Sequence, residues 1–427
     1  MAALVVNQAP NGRKLVSGMI GTKNWAIRPL PFRFAYPDFN RRGRSVNDYN
    51  VDNATIGETD EPHHHVIYKI PVAPERTKYA SLPTGADPLE SESSRSKRAT
   101  DIPSTMYPQI LVVVDYASYQ RHNRDTIALL EYLLPFWNGV DLRYRGLENP
   151  KIRLNIAGII IEADPSALPY IQRNKVAANK IDVFNVLRNS SDFRRKIEST
   201  FPLNTFDIMV TMLPYDMCNS ERPGCPAGTL GLAYVGGACR NYVGSSGPKS
   251  ESLSTVQDKG GFDGVHTAAH ELGHLFSAEH DDGPGASCTM EAGHIMAASP
   301  QMSENSGDWS PCTLKKFNTF FKRKDIGCIY NKPQSSYPIA RVLPGRLQTM
   351  DDQCMKIGGT MTCNRDPNLP PSVLATFASQ ICMKLRCLDE TGDFCKTMHT
   401  APADGSICGK GMICFRSKCI RETDIMY

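Results

Sequence analysis

The most informative residues of this chain are three histidines and a glutamate in the segment His270–Asp281, which reads H-E-L-G-H-L-F-S-A-E-H-D. Because His270 and His274 are four residues apart, they would share one face of a helix, and both imidazoles could reach one metal ion. His280 comes six residues later, so the chain must turn back to bring it to the same ion. Three nitrogen ligands leave a fourth position open, which is typical of a catalytic rather than a structural zinc.

Glu271 follows the first histidine directly, and its carboxylate could act there as a general base. Zinc lowers the pKa of water toward neutrality. Glu271 would accept a proton from that water and later deliver it to the leaving amine of a peptide bond. The sequence therefore predicts one catalytic Zn²⁺ bound by His270, His274 and His280, with Glu271 as the catalytic residue.

A methionine follows the histidines in the segment Gly293–Ser299, G-H-I-M-A-A-S. Alone, Met296 would be interpreted as an adaptable core residue. After three spaced histidines, however, the segment resembles the Met-turn of the metzincins, a methionine loop that lies beneath the zinc in that clan of proteases. We expect Met296 to form the hydrophobic floor of the site. We expect Asp281 to anchor the loop after the third ligand rather than to act chemically.

The composition of the 427 residues is that of an ordinary globular protein, with 41% hydrophobic and 22% charged residues. This length favours two to four domains. The net charge of +4 is too small to indicate nucleic-acid binding, and no basic and aromatic stripe supports it. No apolar run reaches the roughly 18 residues of a membrane-spanning helix, so none is predicted.

The cysteines indicate an oxidising compartment. All 14 follow residue 217, in one block of six between Cys218 and Cys328 and a second block of eight between Cys354 and Cys419. Both counts are even, which favours disulfides closed within each block, although the spacing does not fix which cysteines pair. A second metal site built from thiolates is the alternative for the dense second block. We expect that block to be a small disulfide-rich module of a secreted protein.

The N-terminal region reads as part of a prodomain. It ends in Ser94–Arg98, in which Arg95, Lys97 and Arg98 fit a furin-type processing site in an exposed, flexible stretch. A solvated basic run is the alternative interpretation. Met1–Gly18 lacks the charged and apolar regions of a signal peptide, so we expect an incomplete precursor of a secreted, extracellular protein.

Downstream of this site, hydrophobic patterns alternate between strand and helix. Residues 108–116, 152–162, 206–213 and 230–236 read as strands, and residues 118–138, 177–200, 264–276 and 311–322 read as helices. Together they predict a mixed α/β domain in which helices cover a sheet. We expect the strand at 230–236 to lie near the sheet edge, where an extended peptide substrate could add as a further strand. Gly231, Gly236 and Gly237 would allow close approach of the backbone there, or would merely end the strand.

The region Tyr107–Asn331 resembles a metzincin of the reprolysin type, the group of snake-venom and ADAM proteases, and is most similar to the secreted salivary metalloproteases of ticks. The resemblance rests on the histidine motif and on Gln109–Tyr116, Ala233–Cys239, Ile295–Ser299 and Trp309–Cys312. It implies a catalytic domain with an active-site helix and a Met-turn, followed by a disulfide-rich module. It also implies a secreted zymogen that acts in saliva, and Ca²⁺ binding for which the sequence assigns no ligands.

Two departures from the family pattern bear on function. Ser277 stands where the family has a glycine, which lets the chain leave the helix in a left-handed conformation; a side chain there costs roughly 1 kcal/mol. We therefore expect a strained but competent site. Many relatives stay latent through a prodomain cysteine, but no cysteine precedes Cys218 here. Sterics or another ligand must then supply latency; His63–His65 are conceivable ligands, although a polar surface run is the more economical interpretation.

The predicted domains are a partial prodomain at 1–98, a metalloprotease domain at 99–331, a linker at 332–350 and a cysteine-rich domain at 351–427. The predicted function is that of a secreted zinc endopeptidase, expected as a monomer without a membrane span or nucleic-acid partner. The resemblance implies extracellular substrates such as host fibrinogen or fibronectin. Asn53 and Asn189 open N-glycosylation sequons, of which only the second would survive processing.

Two alternative functions are compatible with the same sequence. A catalytically weak or inactive homologue could act as an anti-haemostatic binding protein through its cysteine-rich domain, and Ser277 keeps that possibility open. A developmental or matrix-processing protease would have the same chemistry in another setting. The cysteine-rich module itself could select substrates or could be a passive tail.

Overall fold

A computed structural model describes residues 2–8, 14–20, 25–29, 65–69, 78–82, 102–202, 204–220, 222–244, 247–282, 288–333, 341–363, 378–389 and 395–425. The processing residues Arg95, Lys97 and Arg98 lie outside these ranges, as do Asn53 and the first two histidines of His63–His65. Among the described residues, no helix combines the length and the apolar character needed to cross a membrane.

The strands are β1 Ala2–Gln8, β2 Lys14–Ile20, β3 Trp25–Pro29, β4 His65–Lys69, β5 Lys78–Leu82, β6 Thr105–Met106, β7 Gln109–Val114, β8 Lys151–Ile152, β9 Asn155–Ile161, β10 Lys175–Ala177, β11 Lys180–Asp182, β12 Ile208–Leu213, β13 Asp216–Cys218, β14 Ala227–Tyr234, β15 Asn241–Gly244, β16 Gly247–Ser250, β17 Leu253–Gln257, β18 Arg386–Leu388, β19 Cys395–Thr397, β20 Ile407–Gly409, β21 Met412–Phe415 and β22 Lys418–Arg421. The α-helices are α1 Tyr116–Arg121, α2 Thr126–Tyr144, α3 Pro169–Gln172, α4 Val183–Lys196, α5 Gly264–Leu275, α6 Pro311–Phe320, α7 Pro344–Leu347 and α8 Met350–Lys356.

These elements fall into two compact units. The smaller unit comprises residues 1–74, 358–380 and 386–397; it holds an antiparallel sheet in the order β1-β2-β3-β4 and the hairpin β18-β19. The larger unit comprises residues 75–357, 381–385 and 398–427, and it is built on a mixed sheet in the order β10-β11-β13-β14-β17-β12-β7-β9. β5 pairs with β14 of that sheet.

The continuous apolar run of β7 has a direct cause in this sheet. β7 pairs in parallel with β9 and with β12, so it lies inside the sheet. Ile110, Val112 and Val114 belong to one buried cluster together with residues of α2, α5 and α6. Leu111 and Val113 belong to a second cluster together with residues of α4. Because helices cover both faces, every position of the strand after Gln109 is buried and the alternation of polar and apolar residues disappears.

Side-chain oxygens fix where several helices begin. Asp115 accepts hydrogen bonds from the backbone of α1, Asp125 from that of α2 and Asp182 from that of α4. Ser310 caps α6, whose first residue is Pro311. Such capping satisfies amide donors that have no partner inside the helix.

The fold class predicted from the sequence is confirmed, with corrections to single elements. The helix predicted at 118–138 is interrupted between α1 and α2, and the second part continues to Tyr144. The helix predicted at 177–200 is α4, preceded by the hairpin β10-β11. The strand β17, which pairs in parallel with β12 and antiparallel with β14, was not predicted from the sequence.

All 14 cysteines form disulfides, so no thiolate is available for a second metal site. The bridges of the first block join cysteines of that block, as predicted: Cys218–Cys225, Cys239–Cys328 and Cys288–Cys312. In the second block the bridges include Cys363–Cys395, Cys382–Cys414 and Cys408–Cys419.

The C-terminal part of the larger unit packs against α2. Leu142 of that helix forms an apolar cluster with Leu343 and Ile413. Arg143 forms an ion pair with Asp404, and both side chains are almost fully buried. Since a buried charge is stable only with a close partner, this ion pair fixes the position of the C-terminal segment.

Two buried carboxyl groups precede the helix α5. Asp258 accepts hydrogen bonds from the hydroxyl of Tyr132 and from the backbone N–H of Gly264, and Asp263 accepts one from the N–H of Lys259. Burial raises the pKa of Asp258 above its usual 3.8, and the neighbouring Asp263 carboxyl raises it further. Two carboxyl groups this close share a proton more readily than they ionise together.

We predict that Asp258→Asn flattens the pH dependence of stability. A carboxyl whose pKa is raised in the folded state contributes stability below its unfolded pKa, and this contribution is lost as the pH rises through the folded value. The amide keeps a donor toward Asp263 at every pH, so the variant should gain stability relative to the wild type as the solution becomes alkaline. Urea unfolding from mildly acidic to mildly alkaline pH measures this difference, and parallel curves for the two proteins would contradict it.

Candidate metal centre

The helix α5 carries the first two histidines into the centre of the larger unit. Nearly all of its residues are buried, and Ala268, Leu272 and Leu275 belong to the same core as α2 and α6. This packing explains why twelve residues with three histidines and a glutamate form a stable helix. His270 and His274 are both fully buried on it.

The three predicted ligands lie together. The Nε2 atoms of His270 and His274 are 3.0 Å apart, and those of His274 and His280 are 3.2 Å apart. His270 Nδ1 lies 2.6 Å from the carbonyl oxygen of Ile295, and His274 Nδ1 lies 2.7 Å from that of Ala278. Because a carbonyl oxygen can only accept, each Nδ1 must carry the hydrogen, and each Nε2 is left with a lone pair.

This arrangement fits a cation. Lone pairs of adjacent imidazoles that point at one another repel unless a positive charge lies between them. Burial lowers the pKa of His274 to about 3 and lowers that of His270 and of His280, so the rings stay neutral and able to act as ligands. Three neutral nitrogens with Nδ1 held by carbonyl groups are the donor set and the outer hydrogen bonding expected for zinc.

Glu271 follows His270 on α5 and is fully buried. Neither of its carboxylate oxygens has a hydrogen-bond partner among the described residues. Burial raises the pKa of Glu271 well above its usual 4.5. A buried carboxylate without a partner is costly, so Glu271 is an exception that packing alone does not explain.

The backbone leaves α5 through Ser277, in the left-handed conformation expected from the sequence. Its φ angle is +74°, a region that glycine adopts at little cost. The N–H of Ser277 donates to the carbonyl of His274, and the N–H of Ala278 donates to that of Gly273. These bonds satisfy the last carbonyls of the helix, and they turn the chain so that His280 returns to the cluster.

Met296 packs against α5. It is fully buried, and its sulfur lies 2.7 Å from the point where a Cβ would be built on Gly273. The carbonyl of Met296 accepts a hydrogen bond of 3.0 Å from the N–H of Asp281. The carboxylate of Asp281 in turn accepts one from the hydroxyl of Ser310 at 2.5 Å. Asp281 thus joins the loop after the third histidine to both the methionine loop and α6.

The strand β14 runs alongside Glu271. A Cβ on Gly231 would lie 2.5 Å from Glu271 Oε1, closer than side chains approach one another. After the strand, Gly236 has a φ of +69° and its N–H donates to the carbonyl of His274 at 2.7 Å. The glycines therefore do more than end a strand: they bring β14, which lies between β13 and β17 in the strand order rather than at its end, against the helix that carries the histidines.

Two segments of the chain match known protein families. Residues 130–281 match the family described as metallo-peptidase family M12B, reprolysin-like, and residues 344–420 match the ADAMTS cysteine-rich domain 2. The first match contains the helix, the three histidines and Glu271. The chain contains a reprolysin-type metzincin domain. The reprolysin-type domain is the expected mixed α/β fold, and a disulfide-rich region follows it.

Several curated relatives are similar to this chain. "A disintegrin and metalloproteinase with thrombospondin motifs like" of Bombyx mori is 38% identical over an alignment of 459 positions that covers 99% of this chain and 63% of that protein. "Venom metalloproteinase 2" of Eulophus pennicornis is 32% identical over 43% of this chain and 41% of its own length. "A disintegrin and metalloproteinase with thrombospondin motifs 1" of Rattus norvegicus is 28% identical over 81% of this chain and 33% of its own length. The chain thus spans under two thirds of each of these relatives.

Some of the predicted sites lie away from this centre or stay predictions. Asn189 is half-buried on α4, and the hydroxyl of Ser191 in its sequon accepts a hydrogen bond from the backbone of Ser250. Glycosylation there, Ca²⁺ binding, the domain boundaries and the similarity to tick salivary proteases stay predictions. The contact of Gly231 with Glu271 was not predicted, because it joins residues 40 positions apart. The hydrogen bond that Ser310 donates to Asp281 was also not predicted. The only sequence signal for Ser310 was that it lies in the family segment Trp309–Cys312.

We predict that Ser277→Gly stabilises the reprolysin-type domain by up to about 1 kcal/mol, because glycine adopts a left-handed φ without the steric cost of Cβ. Ser277→Ala keeps the Cβ and serves as the matched control. Thermal unfolding of the three proteins measures the difference. Equal stability of the glycine and alanine variants would show that the turn holds no strain.

We predict that Gly231→Ala lowers kcat by roughly 10- to 100-fold, because the new methyl group must displace Glu271, and displacements of about 1 Å at a reacting group have effects of that size. Gly327→Ala is the control, since a Cβ on Gly327 meets no other atom within 4 Å among the described residues. Hydrolysis of a quenched fluorescent peptide gives kcat and KM for both variants. Unchanged kcat in Gly231→Ala would contradict the close contact.

Proposed function

We propose that this protein is a zinc-dependent endopeptidase that hydrolyses peptide bonds of extracellular proteins. The observation that supports this proposal most strongly is the convergence of three imidazole Nε2 atoms next to a fully buried Glu271 whose oxygens have no partner among the described residues. His270, His274 and His280 would hold the zinc ion. When bound, zinc supplies a Lewis acid that lowers the pKa of water and polarises a carbonyl group.

Residues of the protein would transfer the protons, orient the ligands and exclude water. Glu271 would accept the proton of the attacking water and then deliver it to the leaving nitrogen; burial raises its pKa above the usual value, which favours the uptake of that proton. The carbonyls of Ile295 and Ala278 would keep two ligand rings in orientation. Burial of the helix would exclude other water from the reacting groups.

The flank of β14 beside Glu271 supports an extended protein substrate. A strand edge offers main-chain hydrogen bonds that do not depend on side chains, which is how many proteases bind unfolded segments. Extracellular proteins such as fibrinogen or fibronectin are the proposed substrates. Action in saliva and a monomeric state are further proposals. Secretion is supported by the disulfides on all cysteines.

The alternative of an inactive binding protein rested on Ser277. The left-handed turn at Ser277 keeps its two closing hydrogen bonds and returns His280 to the cluster. The substitution therefore leaves the ligand geometry intact, and the catalytic proposal is preferred.

We predict that Glu271→Gln lowers hydrolysis of gelatin and of a quenched peptide by roughly 10²- to 10⁴-fold, the usual contribution of a general base. Zinc content measured by atomic absorption should stay near one ion per chain, because glutamine leaves the three histidines in place. Chelation should abolish wild-type activity, and added Zn²⁺ should restore it.

Glu279→Gln is the matched control for this prediction. Glu279 is an exposed glutamate in the same segment that pairs with Lys316 at 2.6 Å. Its loss should leave activity unchanged, because exposed ion pairs contribute little. Folded, zinc-loaded wild-type protein without peptidase activity would overturn the proposed function and favour the binding protein.

A further inference from the structure

A cavity in the larger unit lies one helical turn from the metal centre. Val265 and His266 of α5 line it, together with His294 of the methionine loop. His266 precedes His270 by four residues, so both side chains lie on one face of the helix. His294 precedes Ile295, whose carbonyl oxygen orients the ring of His270. The cavity therefore lies beside a metal ligand, where a peptide bound for cleavage would place a side chain.

The C-terminal segment supplies part of the wall of this cavity. Thr400–Asp404 and Ser417 line it together with Pro300 and Met302, which follow the methionine loop. All of these residues belong to the larger unit. The volume is about 540 Å³ when the open mouth is included, and the enclosed part is narrow. The helix α5 and the C-terminal segment thus build one pocket, and its shape depends on both.

The lining is largely apolar and contains one ion pair. Its charged side chains are Arg143 and Asp404. His266 stays neutral, because burial and the nearby guanidinium of Arg143 lower its pKa to about 4, and its ring is hydrogen-bonded to the backbone of Ser306. An apolar pocket with a few fixed polar groups is the usual form of a site that selects its ligand. The apolar side chains include those of Phe262, Val265, Met302 and Ala403.

Arg143 has a donor that the protein leaves unused. Its Nη1 donates to the carbonyl of Gly139 at 2.9 Å and pairs with the carboxylate of Asp404. Its Nε is buried and has no hydrogen-bond partner among the described residues. A buried donor without a partner is costly, so a ligand that brings an acceptor to Nε would be favoured over one that does not.

The surrounding charges favour a negatively charged acceptor. Asp404 does not oppose it strongly, because one of its oxygens pairs with Arg143 and the other accepts from the backbone N–H of Arg416 at 2.8 Å. Arg416 also pairs with Asp308 at 3.9 Å, and Lys418 pairs with the same carboxylate at 2.8 Å. Three cationic side chains therefore accompany two carboxylates, which leaves one positive charge in excess beside the cavity.

We propose that Arg143 and the wall Thr400–Asp404 make this cavity a pocket for a glutamate side chain next to the cleaved bond. This inference rests on the proposed function, because it takes the metal centre to be the place of cleavage. The narrow apolar walls accommodate the two methylene groups of glutamate, and its carboxylate accepts a hydrogen bond from Nε of Arg143. Charge-assisted hydrogen bonds of this kind are among the strongest in proteins.

A set of quenched peptides tests the selectivity. The peptides are identical except for glutamate, glutamine, leucine or lysine at one position, on either side of the scissile bond in turn. At one of these positions the wild type should show a kcat/KM about tenfold higher for glutamate than for leucine or lysine, because the other side chains leave the donor without an acceptor. Equal values for glutamate and lysine at every position would overturn the proposed pocket.

Substitutions of Ala401 test the role of the C-terminal wall without breaking the buried ion pair of Arg143. Ala401 is half-buried and lines the cavity. Ala401→Asp adds a negative charge and should move the preference from glutamate toward lysine, whereas Ala401→Phe fills the space and should lower kcat/KM for the glutamate peptide about tenfold.

Ile407→Asp and Ile407→Phe are the matched controls. Ile407 lies in the same segment, is exposed and is not part of the lining. Both control variants should keep the preference of the wild type. A wild-type preference in both Ala401 variants would show that the C-terminal segment does not shape the pocket.

Binding to zinc-loaded Glu271→Gln separates this inference from the proposed function. Isothermal titration calorimetry should show about tenfold tighter binding of the glutamate peptide than of the lysine peptide, and Ala401→Asp in the same background should abolish the difference. Equal affinities in a protein whose wild type is active would overturn the pocket and leave the peptidase standing. Selective binding in a folded, zinc-loaded wild type that hydrolyses no peptide would overturn the proposed function, and with it the role of the pocket in cleavage.

Discussion

The orientation of two imidazole rings by two backbone carbonyls is the constraint on which the metal centre depends. His270 and His274 direct Nε2 at a common point only because Nδ1 of each donates to a carbonyl, of Ile295 and of Ala278 respectively. One carbonyl belongs to the methionine loop and the other to the turn after α5. Both loops must therefore be in place before the ligands are, and the left-handed Ser277 is part of that requirement.

The same constraint ties the metal centre to the sheet. The N–H of Gly236 donates to the carbonyl of His274, and the N–H of Ala238 donates to that of Leu275. The loop after β14 thus satisfies two carbonyl groups at the C-terminal end of α5. Gly231 then lets the strand itself approach Glu271. The strand β14 and Glu271 belong to one packed arrangement, and close packing leaves little freedom between them.

The features that could be predicted from the sequence depend on the geometry of residues that are close together in the chain. The spacing of His270 and His274 needs only helical geometry, and the continuous apolar run of β7 reports burial on both faces. β17 was missed for the opposite reason. Its five residues, L-S-T-V-Q, are all buried, yet three are polar, so neither an alternating nor a continuous apolar pattern is visible. Contacts such as Gly231 with Glu271, and the pairing of cysteines, depend on the tertiary fold and carry no local signal.

Arg143 connects the C-terminal segment to the floor of the metal centre. Its guanidinium pairs with Asp404, and its backbone carbonyl accepts a hydrogen bond of 2.9 Å from the indole of Trp309. The ring of Trp309 lies 3.3 Å from the point where a Cβ would be built on Gly273, beside Met296. A continuous path of contacts thus runs from the C-terminal segment to the helix that carries the ligands. Because removing one partner of a buried ion pair leaves the other charge without compensation, this segment is a structural part of the unit that holds the three histidines.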